Sequence, residues 1–455
     1  MTEIELNIEE TSPNLEQDTD PAPEKNRDFH VLDNQAPERV LLLGSTIRRA
    51  PGEMSPSASL YELADLTVSA GGLVIDSALI KRDRPDPAGY FGKGKLDEIE
   101  EIVKEKTIDL VIIDDELSVR QQNNLDRRLS CRVIDRTALI LQIFADRAMT
   151  REGKLQIELA QLNYMLPRLS GMGKSMSRLG GGIGTRGPGE SQLEKDRRHI
   201  RRRVGVLEEE TAKIKKQRQV NRERRGRTRI PVVAIVGYTN AGKSSLLNLM
   251  TDSNAIVEDK LFATLDPVTR RLDLDGREIL LTDTVGFIQN LPHTLINAFR
   301  ATLEEVLYAD LLIHVADSSR EELNEQIRTV YDTLKEIGCE GKPMIHVFNK
   351  SDLLADPLSL QACLSEYKPA VLISVKTGEG VTRLKELVIE HLPESLTTYR
   401  FDIGVSQGRL LNHFYQIGDI IQTNYEEDRV SGLIDLPRRQ AEKYMEYLTE
   451  VKERV

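Results

Sequence analysis

The chain has 455 residues, of which 30% are charged and 39% hydrophobic, and its formal net charge is -11. This length exceeds what one hydrophobic core supports, so the sequence predicts two to four domains of a water-soluble protein. No apolar run approaches the roughly 18 residues of a membrane span, and the acidic N-terminus argues against a secretory signal or a transit peptide.

The three cysteines, Cys131, Cys339 and Cys363, are scattered and lack the spacing of a metal site. Such isolated thiols are typical of a reducing compartment. We therefore expect a cytoplasmic protein without a membrane span, and loose peripheral association with a membrane stays open as an alternative. A monomer is the expected oligomeric state, although the sequence does not fix it.

Charge is distributed unevenly along the chain. Residues 1–38 contain eleven acidic residues against two basic ones, whereas residues 195–229 contain fifteen Lys and Arg against five acids. An acidic, apolar-poor segment cannot bury enough surface to fold, so we expect a disordered tail over residues 1–37. The basic stretch is the more informative half of this asymmetry, because it predicts a negatively charged partner.

Residues 38–148 alternate apolar strands with helices, which predicts a small α/β domain of nucleotide-binding type with a mostly parallel sheet. Strands are expected at 39–47, 73–80, 109–114 and from 131, with helices at 59–70, 95–106 and 118–130. The glycine-rich segment 89–95 opens one of these helices. A flexible loop and a phosphate or RNA contact are equally weighted interpretations of that segment.

Residues 149–229 predict an antiparallel helical arm with a glycine-rich tip. Two helical seams of apolar residues support it, at Leu155, Leu159, Leu162, Leu166 and at Leu193, Ile200, Val204, Leu207, Ile214. Between them, residues 169–190 are too rich in glycine to be expected as helix. A single helix over 190–226 would be about 55 Å long at 1.5 Å per residue. An arm of this length predicts contact with a large partner.

A phosphate-binding motif lies between a predicted strand and a predicted helix. The eight residues fit G-x-x-x-x-G-K-[ST], and they are Gly237, Tyr238, Thr239, Asn240, Ala241, Gly242, Lys243 and Ser244. Backbone N–H groups of this loop are expected to surround phosphates. We expect Lys243 to reach the β- and γ-phosphates and Ser244 to ligate Mg²⁺.

Two further segments are expected around the γ-phosphate. The D-x-x-G motif comprises Asp283, Thr284, Val285 and Gly286. Its carboxylate could hold Mg²⁺ through water, and its glycine N–H could bind the γ-phosphate. A switch loop is expected over Phe262, Ala263, Thr264, Leu265 and Asp266. Within it Thr264 is favoured over Thr269 as a ligand that reaches Mg²⁺ only while the γ-phosphate is present.

Two last motifs select the base. Asp352, in the run Asn349, Lys350, Ser351, Asp352, can accept hydrogen bonds from guanine N1–H and the 2-amino group, where adenine offers no donor. Lys350 can cover the base and Asn349 can brace the phosphate loop. A backbone N–H within Ser374, Val375 and Lys376 can meet guanine O6. The five motifs together predict a Mg²⁺-dependent GTPase over residues 230–395, with Lys243, Thr264 and Gly286 at the reacting phosphate.

The domain over 230–395 is expected to be a Ras-like doubly wound sheet. It is followed over 396–455 by a small α/β domain that ends in an amphipathic helix over 438–451 and carries no catalytic motif. Phe287 follows Gly286, where Ras-type GTPases carry the glutamine that orients the attacking water. Phenylalanine cannot hydrogen-bond a water, whether or not it is also a core residue, so hydrolysis by the free protein is expected to be slow.

From about residue 39 onwards the chain resembles the HflX family of translation-associated GTPases. The resemblance rests on stretches outside the general motifs, namely RPDP (84–87), GKGK (92–95), DRT (135–137), LQIF (141–144), GKLQ (153–156) and GTRGPGE (184–190), with LFATLDPVTR (261–270) and DTVGFIQNLP (283–292). It implies GTP hydrolysis coupled to binding of the large ribosomal subunit, and splitting of stalled or idle ribosomes under stress. The arm is then expected to contact ribosomal RNA.

Two other functions stay open at this point. One is a GTP-gated RNA- or ribosome-binding switch without splitting activity. The other is an ATP-dependent factor that remodels ribosomal RNA through the N-terminal domain, although the sequence has no second Walker A motif.

Overall fold

The computed structural model describes residues 37–46, 54–82, 84–176, 188–226, 230–251, 261–262, 265–289, 303–354, 360–393 and 396–451. Nearly all of the predicted acidic tail, the tip of the arm over 177–187, and switch residues Ala263 and Thr264 lie outside these ranges. Among the described residues, no helix combines the length and the apolarity that crossing a membrane would require.

The N-terminal sheet is parallel, as the alternation of strands and helices predicts. Its strands are β1 (Arg39–Ser45), β2 (Leu73–Ile80), β3 (Leu110–Ile113) and β4 (Arg132–Asp135), in the order β2-β1-β3-β4. The helices are α1 (Pro56–Ser69), α2 (Lys93–Glu105), α3 (Val119–Leu129) and α4 (Arg136–Arg147). Side chains of β1 alternate between two apolar clusters, so helices cover both faces of the sheet.

Two long helices follow, α5 (Arg151–Met176) and α6 (Pro188–Gly226). Leu155, Leu162 and Leu207 are buried between them, which confirms the predicted apolar seam. The expectation that 169–190 is not helical is wrong at both ends, because α5 continues to Met176 and α6 begins at Pro188. Helix propagation outweighs the cost of single glycines, and proline is favourable at the first helical position.

The third unit is a six-stranded sheet with the order β10-β9-β8-β5-β7-β6. Its strands are β5 (Val232–Gly237), β6 (Val268–Leu274), β7 (Arg277–Asp283), β8 (Leu311–Asp317), β9 (Met344–Asn349) and β10 (Ala370–Leu372). Its helices are α7 (Lys243–Thr251), α8 (Leu323–Glu336), α9 (Gln361–Glu366) and α10 (Val381–His391). Among the described strands of this sheet, β6 at the edge alone is antiparallel to its neighbour, and its hairpin turns at Asp275 and Gly276, both with positive φ.

The C-terminal unit is an antiparallel sheet with the order β12-β13-β11-β14. Its elements are β11 (Leu396–Gly404), α11 (Gly408–Ile417), β12 (Asp419–Tyr425), β13 (Arg429–Pro437), α12 (Arg438–Ala441) and β14 (Leu448–Glu450). The helix predicted over 438–451 is correct for its first turn, Arg438–Ala441, and wrong for its end, where Leu448–Glu450 form β14. Pairing with β11 gives the backbone hydrogen-bond partners and buries Leu448 beside Phe401, which outweighs the local helical periodicity.

The N-terminal unit and the six-stranded unit share one hydrophobic core. A single cluster contains Leu139 and Phe144 of α4 together with Ala234 of β5, and it extends to Phe262 and Phe287. The sequence did not predict this contact. Its consequence is that the candidate site lies against a second domain.

Candidate guanine-nucleotide site

The phosphate loop lies between β5 and α7, at the carboxyl edge of the sheet where ligands of such folds bind. A Cβ atom at Gly237 would lie 2.1 Å from the Val315 carbonyl oxygen, and one at Gly242 would lie 2.3 Å from Asn349 Nδ2. Both residues have positive φ, 151° and 96°. The glycines of the motif are thus required by close approach and by backbone conformation together.

Lys243 begins α7 and points back into the loop. Its side chain is buried, and Nζ donates to the Tyr238 carbonyl oxygen at 2.7 Å. Burial lowers the pKa of Lys243 to about 8, while Asp283 opposes that shift. An ammonium group held in a desolvated loop is well placed to bind phosphate oxygens. Their negative charge compensates the ammonium group for the hydration that it loses on burial.

Two of the residues expected around Mg²⁺ contact each other, and binding of the ion stays a prediction. Ser244 Oγ donates to Asp283 Oδ2 at 2.6 Å. A hydroxyl and a carboxylate oxygen are the donors that Mg²⁺ prefers, usually with water and phosphate completing the octahedron. Thr269, the rival of Thr264, lies in β6, and its hydroxyl is 3.0 Å from that of Thr282 in the neighbouring strand β7.

Gly286 lies beside the phosphate loop. A Cβ atom there would be 2.8 Å from Thr239 Cγ2 and 3.0 Å from Lys243 Nζ. The D-x-x-G motif therefore reaches the lysine that we expect to hold the γ-phosphate. The two residues before it are structural, because the Thr284 hydroxyl donates to the Ile235 carbonyl and Val285 is buried in the shared core.

Asn349 joins the base motif to the phosphate loop. Its Nδ2 donates to the Ala241 carbonyl oxygen at 2.8 Å, and its Oδ1 accepts from the Val375 N–H at 3.0 Å. Asp352 Oδ1 accepts from the Ser374 hydroxyl at 2.7 Å. The predicted bracing role of Asn349 is thus visible, and the two base motifs are adjacent in space. Contact of Val375 or its neighbours with guanine O6 stays a prediction.

Two residues of this region were missed from sequence. Asp317, at the end of β8, lies 2.7 Å from Lys350 Nζ and so orients the lysine that is expected to cover the base. Ser318 donates through both its N–H and its hydroxyl to the Asn349 carbonyl oxygen. The available signal was their position, because polar residues that directly follow a buried parallel strand commonly line a site.

Comparison with known proteins agrees with this geometry. Family models described as GTP-binding GTPase N-terminal, GTP-binding GTPase Middle Region and 50S ribosome-binding GTPase match residues 57–145, 147–225 and 232–350. The GTPase HflX of Caldanaerobacter subterraneus subsp. tengcongensis is 48% identical over 374 residues, which are 82% of this chain and 86% of that protein. The chain belongs to the GTPase HflX family. It is accordingly a GTP-hydrolysing enzyme.

Other HflX relatives are similar over comparable lengths. GTPase HflX of Lacrimispora saccharolytica is 46% identical over 394 residues, which are 86% of this chain and 92% of that protein. GTPase HflX of Escherichia coli (strain K12) is 43% identical over 371 residues, covering 81% and 87% of the two chains. The similarity therefore includes the N-terminal domain and the arm as well as the nucleotide motifs.

In this HflX family member the described ends of the switch loop dock outside the GTPase domain. Phe262 packs edge-to-face on Phe144 of α4, with ring centroids 4.5 Å apart. Asp266 accepts hydrogen bonds from the N–H groups of Met149 and Thr150, at 3.0 and 2.8 Å, and from the Thr150 hydroxyl. Asp266, expected at the nucleotide, instead caps the start of α5 here. Leu265 is buried in the shared core.

Phe287 is 2% exposed and belongs to the shared core of this HflX protein. The core interpretation of this residue is therefore confirmed, and its side chain is not positioned to orient water. Its backbone pairs with the phosphate loop, since Phe287 N–H donates to the Gly237 carbonyl and Phe287 O accepts from Thr239 N–H.

The glycine-rich segment 89–95 is a packed turn rather than an open loop. Tyr90 and Phe91 are buried in the N-terminal core, and the Tyr90 hydroxyl contacts Asp115 and Ser45. Gly92 precedes the first turn of α2. A phosphate or RNA contact of this segment stays a prediction.

The arm presents cations to solvent. Arg201 and Arg202 are exposed on α6. Arg203 is exposed as well, and it forms a two-pronged ion pair with Glu158 of α5, at 2.6 and 2.8 Å, which links the surfaces of the two helices. Sequence alone did not distinguish these two roles.

Proposed function

We propose that this protein binds the large ribosomal subunit and uses a GTP cycle to split stalled or idle ribosomes, especially under stress. The observation that carries the proposal is the combination, in one chain, of five guanine-nucleotide motifs with a basic arm built of 26- and 39-residue helices. The match of residues 232–350 to a family described as 50S ribosome-binding GTPase supports the choice of partner.

The length and the charge of the arm suit ribosomal RNA. A helix of 39 residues extends about 58 Å at 1.5 Å per residue, far beyond the core that anchors it. Exposed guanidinium groups bind phosphates without reading sequence, and the arm tip has no aromatic residue on which bases could stack. We therefore propose recognition of RNA backbone and shape through the arm and its tip.

The nucleotide site supplies the energy and timing of this cycle. Mg²⁺, held by Ser244 and by Thr264 in the GTP state, would neutralise charge on the β- and γ-phosphates. Lys243 would bind the same phosphates and Gly286 N–H the γ-phosphate. Asp352, supported by Ser374, would select guanine. We place this activity in the cytoplasm and expect the free protein to be a monomer.

Sucrose-gradient profiles of 70S particles test the proposal. Intact protein is added with GTP, with a non-hydrolysable GTP analogue, and with GDP. Dissociation into subunits with both triphosphates, but not with GDP, is the expected result, because binding energy would do the splitting and hydrolysis would release the protein. Stable binding to large subunits without dissociation would instead favour the GTP-gated switch.

A further inference from the structure

The Tyr238 side chain leaves the phosphate loop and enters the N-terminal domain. Its hydroxyl donates to Glu62 Oε1 of α1 at 2.5 Å and accepts from the Gln289 N–H at 2.9 Å. Tyr238 is 4% exposed and packs against Met54 and Ala58. Burial, reinforced by Glu62, raises the pKa of Tyr238 well above its ordinary value, so the phenol keeps the proton that it donates.

Glu62 is itself held in a buried charged network. Arg136 NH2 pairs with Glu62, and Arg136 NH1 donates to Asp114 at 2.8 Å. The network holds one cation against two carboxylates, and a hydroxyl donates to each carboxylate, from Tyr238 to Glu62 and from Ser59 to Asp114 at 2.6 Å. Charge-assisted bonds in a desolvated site are strong and directional. The network therefore fixes Glu62, and Glu62 fixes the Tyr238 ring.

The other side of Tyr238 contacts the reacting centre. Its carbonyl oxygen accepts from Lys243 Nζ at 2.7 Å. Its neighbours Gly237 and Thr239 are hydrogen-bonded to Phe287, the residue after Gly286. Its hydroxyl holds the backbone of Gln289. One side chain thus connects the phosphate loop, its lysine and the start of the second switch.

We propose that Glu62 of the N-terminal domain is a positioning residue for GTP hydrolysis, acting through the Tyr238 hydroxyl on Lys243 and on the segment 286–289. The Phe287 side chain cannot orient water, and the backbone after Gly286 is held by the phosphate loop at Phe287 and by the Tyr238 hydroxyl at Gln289. The second of these contacts depends on Glu62, which lies in a domain that carries none of the five motifs. The inference concerns hydrolysis itself and is independent of ribosome splitting.

The primary test is Tyr238→Phe in the full chain, which removes one oxygen and keeps the ring. Gln289 N–H and Glu62 then each lose a partner. A buried donor left unpaired is costly, so we expect kcat for single-turnover GTP hydrolysis to fall roughly five- to thirtyfold. KM for GTP and Kd for GDP should stay within about twofold, because loop backbone and base contacts remain. Hydrogen exchange of the peptide containing Gln289 should accelerate.

Ser59→Ala is the matched control. It removes a hydroxyl donor from the far end of the same network but does not touch Tyr238. It should lower Tm and should lower kcat much less than Tyr238→Phe does, because Ser59 reaches Glu62 only through Arg136. Glu62→Gln keeps an acceptor for the Tyr238 hydroxyl, so its kcat should lie between those of wild type and Tyr238→Phe.

The proposal is overturned if Tyr238→Phe retains kcat within twofold of wild type, or if Ser59→Ala lowers kcat as much as Tyr238→Phe does. A parallel loss of GDP affinity and kcat in Tyr238→Phe would also overturn it, because the hydroxyl would then merely shape the binding loop. If Tyr238→Phe does not fold, Glu62→Gln decides. A lowered kcat with unchanged GDP affinity supports the proposal, and a wild-type kcat contradicts it.

Discussion

Asn349 shows how single side chains make one site out of separate motifs. Its amide reaches the Ala241 carbonyl in the phosphate loop and the Val375 N–H in the last base motif. Gly242 must be glycine for this amide to approach. Single substitutions should therefore affect base selection, Mg²⁺ binding and phosphate binding separately.

Asp352→Asn should weaken binding of GTP and favour XTP. The amide of asparagine can donate to the 2-oxo group of xanthine, whereas it faces the 2-amino donor of guanine. We expect a preference shift of roughly one hundredfold or more, since each mismatched buried group costs a few kcal/mol. Binding titrations with both nucleotides check it, with Glu340→Gln at the opposite end of β9 as control. Unchanged affinities would disprove the base assignment.

Ser244→Ala should raise the Mg²⁺ concentration needed for half-maximal hydrolysis and lower kcat by roughly tenfold or more, because a metal ligand is lost beside Asp283. The neighbouring Ser245→Ala removes the same hydroxyl from the same helix and should behave like wild type. Hydrolysis rates measured across a Mg²⁺ series test this. An identical Mg²⁺ dependence in the two variants would contradict the metal assignment.

At the scale of elements, the arm combines an apolar seam with a basic surface. Leu207 is fully buried between α5 and α6, while Arg201 and Arg202 point to solvent. Arg203 is exposed as well, but its side chain is paired with Glu158 of α5. Reversing all three arginines would therefore damage the arm as well as its charge.

Arg201→Glu with Arg202→Glu should weaken co-sedimentation with large ribosomal subunits and flatten its salt dependence, because two phosphate contacts are lost. GTP hydrolysis without ribosomes should stay near the wild-type rate. The matched control reverses two exposed cations of the GTPase domain on α8, Arg328→Glu with Lys335→Glu. If both double variants co-sediment like wild type, the charges on the arm are simply its solvated face.

At the scale of the whole molecule, the N-terminal domain, the arm and the GTPase domain meet around the switch segments. Phe262 and Phe287 lie in the core shared with α4, and Asp266 caps the start of α5. Elements that contact the switches are thus continuous with the elements that we expect to contact the ribosome. Ribosome binding could order the loops around Gly286 through these contacts.

We expect slow hydrolysis by the free protein and stimulation by large ribosomal subunits of roughly ten- to a thousandfold, since ordered transition-state contacts are worth a few kcal/mol each. Single-turnover assays with and without subunits measure it. Phe287→Ala should lower the free energy of unfolding by roughly 3–5 kcal/mol. Phe287→Leu retains more of the buried side-chain volume and should lower it less. The activation model fails if subunits leave the wild-type rate unchanged.

The sequence by itself determined the nucleotide motifs, their order and most of the strands and helices that carry them. These depend on local requirements, such as the positive φ of Gly242 and the continuous apolar runs of β1 and β3, which are buried on both faces of the sheet. The apolar seam of the arm was predictable for the same reason, because the spacing of apolar residues is visible in the sequence of each helix.

Only the tertiary structure decided which surfaces of the domains meet. Glu62 and Tyr238 are 176 residues apart in the chain, and no local pattern marks them as partners. The same is true of β14, which forms because β11 provides partners for its backbone hydrogen bonds. It is also true of Asp266, which accepts hydrogen bonds from residues at the start of α5. Long-range contacts depend on how finished domains pack, and periodicity within an element carries no information about that packing.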